Sequence, residues 1–232
     1  MRNFPTHSIV AIGLLFSLFS SCQRATETPK QDERATTPAP PPEVPKTDDR
    51  PVIVAFGDSL TAGVAGRSYP DQLQDLLDQN GFHYRVDNQG VSGDTTTDGL
   101  SRIENVISEH PAIVILEFGG NDGLRGVPVT ATEVNLDEMI RKIQQKSIPL
   151  VLLGITLPPN YGPEYVEPFT NMFPKLARQY KIPLMPFLLA HVYQDSNLMQ
   201  PDGIHPNGEG NKIVARDVFD LIKPMLARQH NK

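Results

Sequence analysis

Three short runs of the chain are apolar almost without interruption: Val52-Ile53-Val54-Ala55-Phe56, Ala112 to Phe118, and Ile148 to Ile155. Runs of this length, rich in branched residues, predict strands buried on both faces, as in a parallel sheet. Two weaker stretches, His83 to Val86 and Ile182 to Phe187, are further strand candidates. Between them the apolar positions change to helical spacing. Tyr69, Leu73, Leu76 and Leu77 form one stripe, ended by Asn80-Gly81; Leu100, Ile103 and Ile107 form a second; Leu136, Met139, Ile140 and Ile143 a third; Val214, Val218, Leu221, Ile222 and Met225 a last. Strand and helix alternate from residue 51 to 232, which predicts right-handed βαβ crossovers and an α/β three-layer sandwich around a mostly parallel central sheet. In such a sheet ligands bind beyond the carboxyl ends of the strands, so the loops that follow strands are where chemistry is expected.

The front of the chain follows a different pattern. Residues 1–21 have a short polar start with Arg2, an apolar run from Ile9 to Phe19 and the small pair Ser20-Ser21, the anatomy of an export signal. The apolar run is about half of the ~20 residues that a membrane-spanning helix needs. Phe19-Ser20-Ser21-Cys22 resembles the bacterial lipobox, which implies lipid attachment at Cys22 and a membrane anchor. Residues 23–50 hold six prolines and eleven charges, with Val44 the lone large aliphatic residue, so no core can form there and the segment reads as a disordered tether. If flexible, it spans on the order of 30 Å.

Composition narrows the possible chemistry. The net charge of −6 leaves no broad basic field, so no nucleic-acid partner is expected. One cysteine excludes an intrachain disulfide and a multi-cysteine metal site, and six scattered histidines do not suggest a metal tract. Neither a metal nor a cofactor is expected.

Four loops carry candidate chemistry. Phe56-Gly57-Asp58-Ser59-Leu60-Thr61 places a serine where the first strand hands over to a helix, as a nucleophile or, more plainly, as a helix cap. A phosphate-binding role lacks the Lys-Ser/Thr ending of a P-loop. In Asp202-Gly203-Ile204-His205-Pro206 the carboxylate can turn back to the imidazole Nδ1 and aim Nε2 at a nucleophile; Asn207 would then cap the last helix. His83 and His191 show no carboxylate in register. Gly90-Val91-Ser92-Gly93-Asp94-Thr95 and Gly119-Gly120-Asn121-Asp122-Gly123 offer glycine N–H groups and an asparagine amide of the kind an oxyanion requires. Ser92 is a rival nucleophile, and Asp58 and Asp122 are rival carboxylates.

These four blocks, in this order, resemble the SGNH (GDSL) hydrolase family, over residues 52–226. The wording of the Gly119–Gly126 and Asp202–Asn207 segments is most similar to its bacterial arylesterase, lysophospholipase and thioesterase branch. The resemblance implies a flavodoxin-like fold and a serine esterase acting on acyl esters or thioesters. It assigns Ser59 as nucleophile, His205 as general base and then acid, Asp202 as its orienting partner, and the Ser59 and Gly93 amides with the Asn121 side chain as the oxyanion hole. It also implies a flap at 123–128 whose Leu124 and Val127 contact the acyl group. Pro158-Pro159-Asn160-Tyr161, after the fourth strand, is expected to form the opposite wall through Tyr161. A carbohydrate O-deacetylase of the same fold and a non-catalytic lipoprotein that binds glycan or lipid are the alternatives.

Overall fold

Each of the three continuous apolar runs becomes a buried strand in the computed structural model, which describes residues 48–64 and 66–230, and the side chains of the last helix as far as Leu226. The expected export signal, Cys22 and the expected tether up to residue 47 lie outside the described residues. In chain order the strands are β1 (Val52–Gly57), β2 (Arg85–Gly90), β3 (Ile113–Glu117), β4 (Leu150–Leu153) and β5 (Leu184–Met185). Every pairing is parallel and the order across the sheet is β2-β1-β3-β4-β5. This is a doubly wound arrangement with its switch point between β1 and β3, where Phe56 lies opposite Leu116. Ile53 to Phe56 and Ile113 to Leu116 are wholly buried, as expected of strands covered on both faces.

The two edges depart from the expected limits. The second strand begins at Arg85 and continues through Asp87-Asn88-Gln89, where the apolar pattern had predicted His83 to Val86. It pairs on one side only, with β1, so half-solvated polar residues are tolerated in it. The opposite edge strand is reduced to Leu184 and Met185, shorter than the Ile182–Phe187 run.

The helices are α1 (Ser59–Ala62), α2 (Tyr69–Gln79), α3 (Thr96–Ser108), α4 (Gly120–Leu124), α5 (Val129–Gln145), α6 (Pro163–Tyr180) and α7 (Gly208–His230). Reciprocal capping boxes start α2 (Ser68 with Asp71) and α3 (Thr95 with Asp98), satisfying N–H groups that the first turn leaves free. α2 packs on α7, while α3 packs on α5 and α5 on α6. This grouping follows from right-handed crossovers that run in opposite directions along the sheet: α2 connects β1 to β2, whereas α3, α5 and α6 connect β2 to β3, β3 to β4 and β4 to β5 and so cover the other face.

Helix α6 has no counterpart in the predicted elements. Pro163 sits harmlessly in its first turn, but Pro168 and Pro174 interrupt a segment that otherwise has helical spacing, each removing a backbone donor. Burial of Phe169, Met172, Phe173 and Leu176, at i, i+3, i+4 and i+7, holds the helix together despite them. Among the described residues no helix is long and apolar enough to cross a membrane.

Candidate active site

The loop after β1 turns directly into α1. Asp58, not Ser59, caps this short helix: its Oδ1 accepts from the Leu60 N–H at 3.0 Å. The Ser59 hydroxyl is thereby free of the capping role, and its Oγ lies 2.8 Å from Nε2 of His205. Gly57 at the end of β1 is where a side chain cannot fit, since a Cβ there would stand 2.6 Å from Oε2 of Glu117 on the adjacent β3.

The imidazole comes from the other end of the chain on a tight hairpin. Met199 and Pro206 form an antiparallel bridge, the Gln200 N–H donates to the His205 carbonyl at 2.8 Å, and Gly203 turns the chain with φ 67°. The Asp202 carboxylate accepts from the backbone N–H groups of Ile204 (2.9 Å) and His205 (3.0 Å), and its Oδ2 lies 2.7 Å from Nδ1 of the His205 ring. A carboxylate can only accept, so Nδ1 carries the hydrogen and Nε2 is left to accept from Ser59. Burial works against ionisation of Asp202, but the ring and backbone donors outweigh it and hold the carboxyl at about 2. The stabilisation from that lowered value is fully present above the ordinary 3.8 and is lost as the pH falls toward 2. Asn207 caps α7 as expected, its Oδ1 accepting from Glu209 and Gly210.

The rival residues are engaged elsewhere. Asp122 is buried and accepts from the Thr96 N–H and hydroxyl and from Thr132, and Asp58 serves Leu60 and Asn121. Ser92 is exposed, and the ring partner of His205 is Ser59. His191 does have a carboxylate partner, contrary to the sequence pattern: Nδ1 lies 2.8 Å from Asp217 Oδ2 on the exposed surface of α7, a contact between elements that local spacing does not reveal.

Asn121, in α4 directly after β3, reaches back toward the same point. Its Nδ2 donates to Asp58 Oδ2 at 3.1 Å and to the Asp94 carbonyl at 3.0 Å. Gly93 lies in the turn closed by the Asp94 N–H to Val91, and its carbonyl accepts from Arg125.

A cavity of about 240 Å³ opens beside Ser59 and His205. Of the three residues expected to contact an acyl group, Leu124 lines it, whereas Val127 and Tyr161 do not. Two tyrosines tie down the 123–128 segment instead: the Tyr161 hydroxyl donates to the Leu124 carbonyl at 3.1 Å, and the Tyr165 hydroxyl to the Val127 carbonyl at 2.6 Å. The apolar wall is made by Ile155 and Leu157 after β4 and by Phe187, Leu189 and Tyr193 after β5. Position after a strand was the signal that pointed to these loops; which side chains turn inward has no sequence period.

Arg102 on α3 is the residue that sequence reasoning missed. Its guanidinium donates to the Gly57 carbonyl (3.0 Å), the Gln89 carbonyl (2.9 Å) and Asp94 Oδ2 (2.9 Å), and lies 4.3 Å from the centre of the Phe56 ring. It thereby ties the ends of β1 and β2 to the turn that carries Gly93.

A serine at a strand end, bonded to an imidazole that is bonded in turn to a carboxylate, on a doubly wound parallel sheet, defines a serine hydrolase. The chain belongs to the GDSL-like lipase/acylhydrolase family, whose pattern matches residues 55–213. It is 39% identical over 178 residues to esterase TesA of Pseudomonas aeruginosa, covering 75% of this chain and 89% of that protein. It is 36% identical to thioesterase 1/protease 1/lysophospholipase L1 of Escherichia coli K12, covering 75% and 84%. The crystal structure of AlinE4, an SGNH-hydrolase family esterase, superposes with a TM-score of 0.64 at 37% identity, covering 78% of this chain and 97% of that one. The chain is accordingly an ester-bond hydrolase.

Arg102→Met should lower the unfolding free energy by about 2–4 kcal/mol, because it leaves the largely buried Asp94 carboxylate without its cation and takes one donor from each of the Gly57 and Gln89 carbonyls, the first of which keeps the Val91 N–H. Urea denaturation reads this directly. A change below about 0.5 kcal/mol, the value of an exposed pair, would contradict the bracing role.

Proposed function

We propose that Ser59, His205 and Asp202 form the catalytic triad of a serine esterase that hydrolyses acyl esters or thioesters. The observation that carries this reading is the 2.8 Å contact from Ser59 Oγ to His205 Nε2 at the mouth of an apolar cavity. His205 Nε2 takes the Ser59 proton as Oγ attacks the carbonyl carbon, and returns it to the departing alcohol or thiol as the tetrahedral intermediate collapses to an acyl-enzyme. Water then enters, gives a proton to His205 and attacks the acyl carbon; the proton returns to Ser59 as the acid leaves. Asp202 holds the ring in the required tautomer throughout. The developing oxyanion is received by the Ser59 and Gly93 N–H groups and by one Asn121 Nδ2 hydrogen, which exchanges the Asp94 carbonyl for the substrate oxygen.

The acyl group lies in the cavity against Leu124, Leu157 and Leu189. This apolar lining favours acyl chains longer than acetyl over carbohydrate O-acetyl groups, and the names of the relatives support an esterase or thioesterase. Export and anchoring through a lipid on Cys22 complete the reading; its support is the residue pattern of the first 22 positions.

A fluorophosphonate probe should label Ser59 alone, and Ser59→Ala should cut kcat by about 10⁶ while the domain stays folded. Covalent labelling at Ser92 would overturn the assignment. Asn121→Ala should lower kcat by about 10² to 10³ with KM little changed, since the amide serves the transition state rather than the bound ester. An effect confined to KM would make it a substrate-binding residue. For the anchor, Cys22→Ser should move the protein from the membrane fraction to the soluble fraction with its hydrolysis of p-nitrophenyl butyrate intact, because stable anchoring depends on the attached acyl chains. A variant that still pellets with membranes would refute lipidation at this residue.

A further inference from the structure

Beneath the site lies a pair of carboxyl groups that the triad does not use. Glu117, the last residue of β3, is wholly buried, and Asp58 is 2% exposed. Glu117 Oε2 accepts from the Asp58 N–H at 3.2 Å and from the Thr61 hydroxyl at 2.9 Å. No N–H or hydroxyl donor reaches Oε1. The Asp58 N–H bond to Oε2 makes the two acidic side chains neighbours, and each acts on the ionisation of the other. Among the described residues no ion pair joins either carboxyl to a lysine or arginine.

Two ionised carboxylates facing each other without a cation, one of them with an oxygen no donor reaches, is an arrangement that burial penalises severely. A proton on Oε1 resolves all three problems at once. It turns the unpartnered acceptor into a donor, gives Asp58 a hydrogen-bond partner, and leaves one negative charge where there would be two. The donors available to each residue decide which of the two keeps the proton. Asp58 already receives the Leu60 N–H on Oδ1 and the Asn121 Nδ2 hydrogen on Oδ2, both of which favour its charged form. Burial, followed by the neighbouring Asp58 charge, pushes the Glu117 carboxyl well above the ordinary carboxylate range.

We infer that Glu117 is a positioning residue: it stays protonated, donates to Asp58, and through Asp58 Oδ2 clamps one Nδ2 hydrogen of Asn121 so that the other faces the oxyanion. This rests on the role assigned to Asn121 above. The clamp has an electrostatic side as well. A second charge behind the oxyanion would oppose the charge that develops there.

The test uses the full chain with Glu117→Gln and Glu117→Ala. Glutamine reproduces the neutral form, with an oxygen to accept from Asp58 and Thr61 and an N–H to donate to the Asp58 carboxylate. Glu117→Ala should lower kcat for p-nitrophenyl butyrate about 10²-fold through a misplaced Asn121, with KM within about twofold, and Glu117→Gln should recover kcat to within about threefold of the parent. A glutamine variant as impaired as the alanine one would overturn the inference. Infrared spectroscopy at neutral pH reads the proton without reference to turnover or to the stability of Glu117→Ala. A protonated-carboxyl C=O band that is present in the parent and lost in Glu117→Gln supports the assignment. A band absent from the parent means that Glu117 is ionised, and one that persists in Glu117→Gln puts the proton on Asp58; either refutes it. A parent that shows the band but no ester hydrolysis would count against the proposed function and leave the proton assignment standing.

Discussion

In-register parallel pairing of β1 with β3 is the constraint on which the site depends. Because the two strands run the same way and are neighbours, their carboxyl ends deliver Ser59 and Asn121 to the same edge of the sheet, and Glu117 comes to rest beside Gly57. A shift by one residue would turn every buried side chain of one strand to the opposite face. The apolar continuity of Ile53–Phe56 and Ile113–Leu116 supplies the burial that holds the pairing, so the geometry of a polar site is fixed by an apolar sheet.

The polar layer just below the reacting atoms is built differently from its surroundings. Arg102 gathers three strand-end and turn acceptors, and Asp58 receives donors from α1 and α4, so each loop is held by a side chain from another element. Low exposure makes these bonds stronger than their surface equivalents and makes an unmade one costly. The hairpin that carries His205 follows the opposite plan: Asp202 and His205 satisfy each other within four consecutive residues, and the hairpin is closed by its own backbone bonds.

That contrast explains what could be read from the sequence. The central strands were legible because burial on both faces leaves an unbroken apolar run, and the Asp202-His205 pair because its contact is local. Edge strand β2 was not legible past Val86, since Asp87, Asn88 and Gln89 are compatible with one-sided pairing but do not announce it. Helix α6 was hidden by Pro168 and Pro174, which local rules treat as breakers and which the burial of Phe169 and Phe173 overrides. Val127 and Tyr161 lie in the expected loops but do not line the cavity, and the Tyr161 hydroxyl goes to the Leu124 carbonyl instead, because side-chain direction in irregular segments depends on packing alone. Arg102 and Glu117 gave no signal either: one reads as a solvated helix position and the other as the polar end of a strand, until the fold encloses them.

The separation of Ser59 from His205 along the chain has a consequence for when the protein becomes active. The two residues stand 146 positions apart, and the hairpin that carries the imidazole leads into α7, which packs on α2, where Gln72 Nε2 donates to the Gly208 carbonyl at 3.0 Å. A chain emerging in order from a ribosome presents Ser59 well before His205. Until then Ser59 is an ordinary alcohol with no proton acceptor. In the proposed mechanism the serine therefore gains its proton acceptor only once residue 205 has been made, and a chain cut short before that point would hold the alcohol without the imidazole.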